Sequence, residues 1–418
     1  MADIDTIPQE TKAEIEQIGR AELVIGLLGC DSSGSAEASA VKATEKLRLL
    51  APDINAVFVH WEGSPEPGKA AANDSGVRLL EFPRGAESES LLQAGRARVR
   101  AQNDLFGVAR LLAADACCLI CTDEQSEGAE CMARLIEPIL TLDQDLVIAR
   151  YQRPRFDGLI NTAIIYPLLS AVYGKRVQWP MAQDLGFSRK MVERCLSARQ
   201  VRPGQAVDLS PAWITTAAVT GGLQVCQAGL RTRPESARPG ADLSTVLAEL
   251  LGPIFLEMER DAPFWQKIRG SQSVPVFGDA IPVSEESSHV DVRRMIESFQ
   301  LGFRNLQEVW NLALSPATIL GMKKLTRLAP DQFRMPDELW VRIVYDFALA
   351  FRARVMNRDH LLRAVTPVYL AWVASYALEV QDAHETEVKD RIERLCGVYE
   401  AEKPYFQSRW RWPDRFNP

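Results

Sequence analysis

The chain has 418 residues, more than one hydrophobic core usually holds, so we expect two domains. Its composition, 47% hydrophobic and 25% charged, is typical of globular proteins and excludes extensive disorder. A net charge of −7 argues against nucleic acid as a partner. No apolar run approaches the roughly 20 residues that span a bilayer, and the acidic N-terminus is unlike a signal peptide. We therefore expect no membrane span. The eight cysteines lie mostly inside apolar runs, which indicates reduced, buried thiols and a cytoplasmic protein.

The first part of the chain alternates strand and helix patterns. Residues 1–20 read as a polar leader, and a small polar loop containing Asp31 follows the first predicted strand. Such a layout of strand, loop and helix either holds a phosphate through backbone N–H groups or is a plain connection. The alternation predicts a largely parallel α/β sheet. The predicted elements up to residue 114 are strands at 22–28, 55–61 and 77–82 and helices at 36–50 and 96–114.

An apolar run at 116–121 predicts the next strand. It is followed by Asp123 and Glu124, so two carboxylates stand where the strand leaves the sheet, the usual place for a ligand site in an open α/β sheet. Because the two residues are adjacent, an extended strand would point them in opposite directions, and only a turn would let both reach one ion.

The rest of the chain changes from alternating patterns to helices alone. From about residue 242 the 3.6-residue period dominates, so we predict an α/β domain at 21–240 and an all-α domain at 241–418. The predicted strands are 145–151 and 223–228. The predicted helices are 130–140, 159–172, 190–198, 213–220, 243–260, 291–314, 316–325, 336–357, 359–378 and 385–399.

Several segments, taken in order, resemble a nucleotide-sugar glycosyltransferase of the GT-A type with an added helical domain. More specifically, the chain looks like the retaining enzymes that make mannosylglycerate or glucosylglycerate. Thr122-Asp123-Glu124 stands where that family has Asp-x-Asp, and 178–186 resembles its acceptor segment. Asp208 with the following Thr215 and Thr216 resembles its later Asp-plus-Thr helix start. The remaining segments that carry the resemblance are 151–161, 225–242 and 403–410.

The resemblance implies a GT-A (Rossmann-like) fold and a set of donor-binding residues. Asp123, Arg153 and Arg155 would contact the donor phosphates, although the two arginines also fit a solvated basic turn. Asp31 would hydrogen-bond the base of the nucleotide. Glu124 would be the metal ligand, for Mg²⁺ or Mn²⁺.

A second implied set binds the acceptor and the transferred sugar. Asp184 and Asp208 would be the catalytic carboxylates, Asp184 holding sugar hydroxyls and Asp208 orienting the acceptor. Asp157 and Asn161, four residues apart on one helix face, either bind acceptor hydroxyls or cap the helix. Thr215 and Thr216 either bind an acceptor carboxylate at a helix start or belong to an ordinary capped helix.

The chain departs from the family pattern at chemical positions. Thr122 replaces the first metal carboxylate, Ala182 and Gln183 replace a Gly-Gly pair, and Pro234 stands near the place of a metal-binding His. Two hypotheses follow. The protein moves a hexose from a nucleotide sugar to a small hydroxy acid of the glycerate type with retention, or it is a catalytically inactive homologue that acts as a binding or regulatory partner. A homodimer or an active homologue is the expected protein partner.

Overall fold

The computed structural model describes residues 7–28, 33–50, 52–62, 77–83, 91–121, 128–200, 212–230, 242–279 and 290–411. It confirms the predicted fold class, a mostly parallel α/β sheet followed by a helical region, although two short strands, at 272–273 and 276–277, lie in the part that was expected to be all-α. The strands are β1 (Leu23–Leu28), β2 (Ala56–Glu62), β3 (Arg78–Pro83), β4 (Ala116–Cys121), β5 (Leu146–Tyr151), β6 (Lys175–Arg176), β7 (Leu185–Ser188), β8 (Val225–Leu230), β9 (Gln272–Ser273) and β10 (Val276–Phe277).

One large sheet organises the described part of the chain. The sheet has eight strands, in the order β10-β8-β5-β7-β4-β1-β2-β3. Strands β6 and β9 form a separate two-stranded sheet. All pairs in the large sheet are parallel except those of β7, which runs antiparallel to both β4 and β5. The reversed strand therefore begins at the edge where its two neighbours end.

The central strands are buried because their sequences are apolar on both faces. In β4 the run Ala116 to Ile120 is at most 2% exposed, and β8 is buried along its whole length. Helices cover both faces of such a sheet, which explains strands without polar alternation. The predicted strand at 116–121 is confirmed residue for residue.

Most of the remaining described residues are helical. A π-helical turn, Asn161–Ile165, precedes α5, and a 3₁₀ turn spans Pro330–Gln332. The helices are α1 (Gln9–Ile18), α2 (Ser33–Leu50), α3 (Leu91–Leu111), α4 (Gly128–Leu142), α5 (Tyr166–Tyr173), α6 (Arg189–Gln200), α7 (Trp213–Thr220), α8 (Leu243–Arg260), α9 (Ala262–Trp265), α10 (Val292–Asn305), α11 (Gln307–Ala313), α12 (Pro316–Leu325), α13 (Asp337–Ala353), α14 (Arg358–Arg363), α15 (Thr366–Val380) and α16 (Glu385–Arg411).

The helical region packs directly on the sheet region. The carbonyl of Ala163, inside the π-helical turn, accepts hydrogen bonds from Trp340 Nε1 and from the Tyr399 hydroxyl, each at 3.0 Å. Strand β10, from beyond residue 240, pairs with β8 in the large sheet. These contacts cross the predicted boundary between 21–240 and 241–418, and the division itself stays a prediction.

Four tryptophans lie in the interior of the helical region. Trp265, Trp310 and Trp340 are fully buried and Trp372 is 1% exposed. The stretch Arg358–Val380, which contains α14 and α15, is long and apolar enough to cross a membrane by length and composition. It is 72% buried inside the protein, which is the environment of a core helix.

Candidate functional site

The carboxylate of Asp184 lies at the carboxyl ends of two strands at once. Asp184 immediately precedes the reversed strand β7, so it stands beside the last residues of β4 and β5. Its Oδ1 accepts the backbone N–H of Cys121 at 2.8 Å, and its Oδ2 accepts the hydroxyl of Tyr151 at 2.6 Å. Asp184 is 2% exposed and Tyr151 is 9% exposed. The carboxylate is therefore a buried bridge between the two strand ends.

The hydroxyl of Tyr151 stays protonated at this position. Burial raises the pKa of Tyr151 well above its ordinary value, and the neighbouring Asp184 carboxylate raises it further. The same oxygen accepts the backbone N–H of Asp184 at 3.3 Å. Tyr151 thus donates one hydrogen bond to Asp184 and accepts another from it.

The segment 177–184, which leads into β7, is held from several sides. Asn161 donates its side-chain amide to the carbonyl of Gln178, and Gln227 accepts the N–H of Gln178, each at 2.8 Å. Arg98 donates to the carbonyls of Ala182 and Gln183 at 3.0 and 2.6 Å. These bonds fix an irregular backbone next to the sheet, where unpaired amide and carbonyl groups would be costly.

Arg153 and Asp157 pair with each other at the same edge. Arg153 Nη1 donates to Asp157 Oδ2 at 2.8 Å, and the Arg153 guanidinium lies 4.9 Å from the ring centre of Trp179. Trp179 in turn donates its indole N–H to the carbonyl of Tyr151 at 3.0 Å. Gly158 has a φ of +64°, and a Cβ there would lie 2.7 Å from the Trp179 ring, so the turn requires glycine. Arg153 is thereby stacked and ion-paired within the protein.

Arg155 points to the helical region instead. Its Nη1 donates to the carbonyls of Val380, Gln381 and Ala383 at 2.9, 2.9 and 3.1 Å. These carbonyls lie at the C-terminal end of α15, where a positive charge is favourable. Arg153 and Arg155 were expected to bind donor phosphates together, and the structure places them in two different sets of contacts.

Thr215 and Thr216 donate their hydroxyls to groups of the protein. Thr215 donates to the carbonyl of Pro180 at 2.8 Å, which fastens the segment 177–184 to α7. Thr216 donates to the carbonyl of Trp213 at 3.0 Å and also bonds the carboxylate of Glu257. The cavity beside the two hydroxyls measures about 10 Å³, which is room for about one water molecule.

Four expected site residues lie outside the described residues: Asp31, Asp123, Glu124 and Asp208. Among the residues that the structure does describe, no group of three or more His, Cys, Asp or Glu side chains is placed to hold a metal ion. The described donor set therefore does not fit a divalent metal, and Glu124 as a metal ligand stays a prediction.

Of the described expected residues, four converge on the segment 177–184. Asp184 belongs to it, Asn161 and Thr215 hydrogen-bond its backbone, and Arg153 stacks on its tryptophan. Tyr151 and Arg98 belong to the same arrangement and were not singled out as site residues from the sequence. The signals for Tyr151 were its place as the last residue of a predicted strand and as the first residue of the segment 151–161.

No protein-family model matches the chain, and no curated protein matches it by sequence. Solved structures that are similar to the chain include glucosyl- and mannosyl-3-phosphoglycerate synthases. One is glucosyl-3-phosphoglycerate synthase from Mycobacterium tuberculosis with Mn²⁺, UDP and glucosyl-3-phosphoglycerate: 17% identity, TM-score 0.34, covering 61% of this chain and 85% of that chain. Another is mannosyl-3-phosphoglycerate synthase from Rubrobacter xylanophilus, at 15% identity and TM-score 0.35, covering 62% and 81%.

Both structures are of the kind that the sequence resembles. At these identities and TM-scores the likeness carries no argument about the activity of this chain, which has to come from its own residues.

Proposed function

We propose that this protein is a nucleotide-sugar-dependent hexosyltransferase whose acceptor is a small hydroxy acid of the glycerate type, with retention at the anomeric carbon. One observation carries the proposal. The reversed strand β7 brings Asp184 to the shared carboxyl ends of β4 and β5, the position where open α/β sheets bind their ligands. In the sequence, Asp123 and Glu124 follow shortly after the end of β4.

The chemistry requires that the leaving nucleoside diphosphate be stabilised and that water be kept from the sugar. A divalent ion, Mg²⁺ or Mn²⁺, commonly neutralises such a leaving group. Because the described residues do not form a metal site, the metal enters the proposal as an assay component. One of the similar structures, a glucosyl-3-phosphoglycerate synthase, is described with Mn²⁺, UDP-glucose and phosphoglyceric acid, which are suitable first probes.

The test has a binding arm and a turnover arm. Thermal unfolding of the full chain is followed with UDP-glucose and GDP-mannose, each with Mn²⁺ or Mg²⁺. We expect one donor to raise Tm, and we expect a glycosylated product when glycerate or 3-phosphoglycerate is added. NMR of the product reports whether the anomeric configuration is retained. If no nucleotide sugar raises Tm, the proposal is wrong.

A second candidate function is a catalytically inactive homologue that binds or regulates an active transferase. The observation that favours it is the internal use of expected binding groups: Arg155, Thr215 and Thr216 all donate to atoms of the protein itself. This candidate predicts nucleotide-sugar binding without turnover. Turnover that disappears in Glu124→Ala, with the fold retained, would exclude it.

The proposal includes a cytoplasmic location and a protein partner, either a second copy of this chain or an active homologue. Sedimentation of the purified chain, alone and with nucleotide sugar, distinguishes a monomer from a homodimer. Cell fractionation tests the location.

A further inference from the structure

We propose that Asp184 and Tyr151 act as a positioning pair, in which the carboxylate fixes the carboxyl ends of β4 and β5 for ligand binding and does not itself contact the sugar. The inference rests on the proposed function, because it concerns the same edge of the sheet. It assigns a role to Tyr151, and it changes the role of Asp184 from a catalytic carboxylate to a residue that acts through the backbone of Cys121.

Burial is the first argument. A side chain that holds sugar hydroxyls must present an oxygen to the ligand, but Asp184 is 2% exposed. Both oxygens accept hydrogen bonds from within the protein, Oδ1 from Cys121 and Oδ2 from Tyr151. A carboxylate with this burial requires such donors, since an unpaired buried charge is strongly destabilising.

The position of the two donors is the second argument. Cys121 is the last residue of β4 and Tyr151 is the last residue of β5, and the two strands are separated in the sheet by β7. One carboxylate on the first residue before β7 ties both strand ends together. In the sequence Asp123, the predicted donor-contacting residue, follows two residues after Cys121, so the bond to the Cys121 N–H fixes the described end of the chain that leads to it.

The hydroxyl of Tyr151 is the part of the pair that holds the carboxylate in one orientation. It donates to Oδ2 at 2.6 Å and accepts the Asp184 N–H at 3.3 Å, so it contacts both the side chain and the backbone of one residue. Phenylalanine would keep the ring and remove both bonds. The carboxylate would then rotate away from Cys121 more easily.

A charge-neutral variant separates the positioning role from a direct one. In Asp184→Asn the amide oxygen still accepts the Cys121 N–H, and the amide nitrogen donates to the Tyr151 oxygen, so the bridge survives with one bond reversed. In Asp184→Ala both bonds are lost. A positioning role therefore predicts a small loss of ligand affinity for the asparagine variant and a large loss for the alanine variant. A direct role for the negative charge predicts a large loss for both.

The experiment measures the affinity of the full chain for UDP-glucose and GDP-mannose, each with MnCl₂, by isothermal titration calorimetry. We expect Tyr151→Phe to weaken binding about tenfold and Asp184→Ala by more, with Asp184→Asn within about threefold of the unchanged protein. The matched control is Tyr166→Phe, because Tyr166 is a buried tyrosine that donates to Glu393 at 2.7 Å. The control should bind like the unchanged protein, so a loss of affinity in Tyr151→Phe cannot be a general effect of a missing tyrosine hydroxyl.

The outcomes are distinct. If Asp184→Asn binds the ligand as weakly as Asp184→Ala does, the positioning role is wrong. It is also wrong if Tyr151→Phe and Asp184→Ala bind the ligand like the unchanged protein. If Asp184→Ala does not fold, the order of the other two variants decides: positioning predicts that Asp184→Asn binds more tightly than Tyr151→Phe, and the reverse order overturns it. If the unchanged protein and the control bind neither nucleotide sugar, the proposed function fails and this inference fails with it.

Discussion

Arg155 donates its Nη1 to the carbonyl of Val380, 225 residues further along the chain. The same nitrogen reaches the carbonyls of Gln381 and Ala383. The turn that follows β5 is thereby tied to the C-terminal end of α15 by one charged side chain. Arg155 was predicted from its sequence context to bind phosphate. In the structure its hydrogen bonds connect the sheet region to the helical region.

Replacing Arg155 should loosen this junction. Arg155→Ala leaves three carbonyls without their charged donor and is expected to lower the free energy of unfolding by about 2 kcal/mol. Urea unfolding of the purified chain measures the change. Arg293→Ala, at an exposed position of α10, is the control and should stay within about 0.5 kcal/mol. Equal stability of the two variants would contradict the fastening role.

Lys403 holds a second junction. It is 3% exposed, and its Nζ donates to the carbonyls of Ala171, Val172 and Ile268 at 2.6, 3.2 and 2.9 Å. Lys403→Met keeps the aliphatic stem but removes the charged donor to these three carbonyls, so we expect a loss of about 3 kcal/mol in unfolding free energy.

The control for Lys403 lies on the same helix. Lys389 is exposed and pairs with Glu385 one turn earlier in α16, so Lys389→Met should cost no more than about 0.5 kcal/mol. A small effect at both positions would mean that the buried ammonium group contributes little to the packing of α16 on α5.

Asp104 makes stability depend on pH. Burial raises the pKa of Asp104 to about 6 from its ordinary 3.8, while the hydrogen bond from Trp61 and the nearby Arg100 lower it. Because the folded-state pKa is the higher one, the stability from this group is fully present below pH 3.8 and is lost as the pH rises through 6. The loss amounts to about 3 kcal/mol.

Asp104→Asn removes this titration and keeps an acceptor for the Trp61 indole N–H. The difference in unfolding free energy between the variant and the unchanged protein should therefore move in favour of the variant between pH 4 and pH 8. Unfolding curves at both pH values measure it, and a difference that does not vary with pH would contradict the assignment.

Gly186 sets the close approach of β7 to α4. A Cβ at Gly186 would lie 2.4 Å from the carbonyl oxygen of Leu135, a backbone atom that cannot move aside easily. Gly186→Ala should cost about 3 kcal/mol or more in unfolding free energy and displace the strand that carries Asp184.

Gly397→Ala is the matched control, because there is free space around this glycine for a Cβ. No atom lies within 4 Å of a Cβ built there, and the residue is inside α16, so alanine should stabilise by about 0.5–1 kcal/mol. If both alanine variants have the same stability, the contact between Gly186 and Leu135 does not limit the sheet.

Long, regular elements were predictable from the sequence because their patterns are local. The predicted bounds of β4, α7, α8 and α12 match the structure. The predicted helix at 291–314 is in fact α10 and α11, separated at Leu306. The apolar pattern continues through this break, so periodicity alone does not show it.

The reversed strand β7 was not predicted, and it is the element that builds the site. Its four residues, Leu-Gly-Phe-Ser, are too few for a periodic signal and include a glycine. The strand forms because β4 and β5 offer hydrogen bonds on both of its sides. Asp184 was therefore identifiable as a carboxylate of interest, but its partner Tyr151, 33 residues earlier, was not.

Hydrogen–deuterium exchange with and without a nucleotide sugar tests the central claim most directly. The account predicts that UDP-glucose or GDP-mannose, with Mn²⁺, slows exchange at the carboxyl ends of β4 and β5 and in the segment 177–184, where the Asp184 bridge lies. Protection that is confined to the helical region, or to the amino ends of these strands, would contradict it.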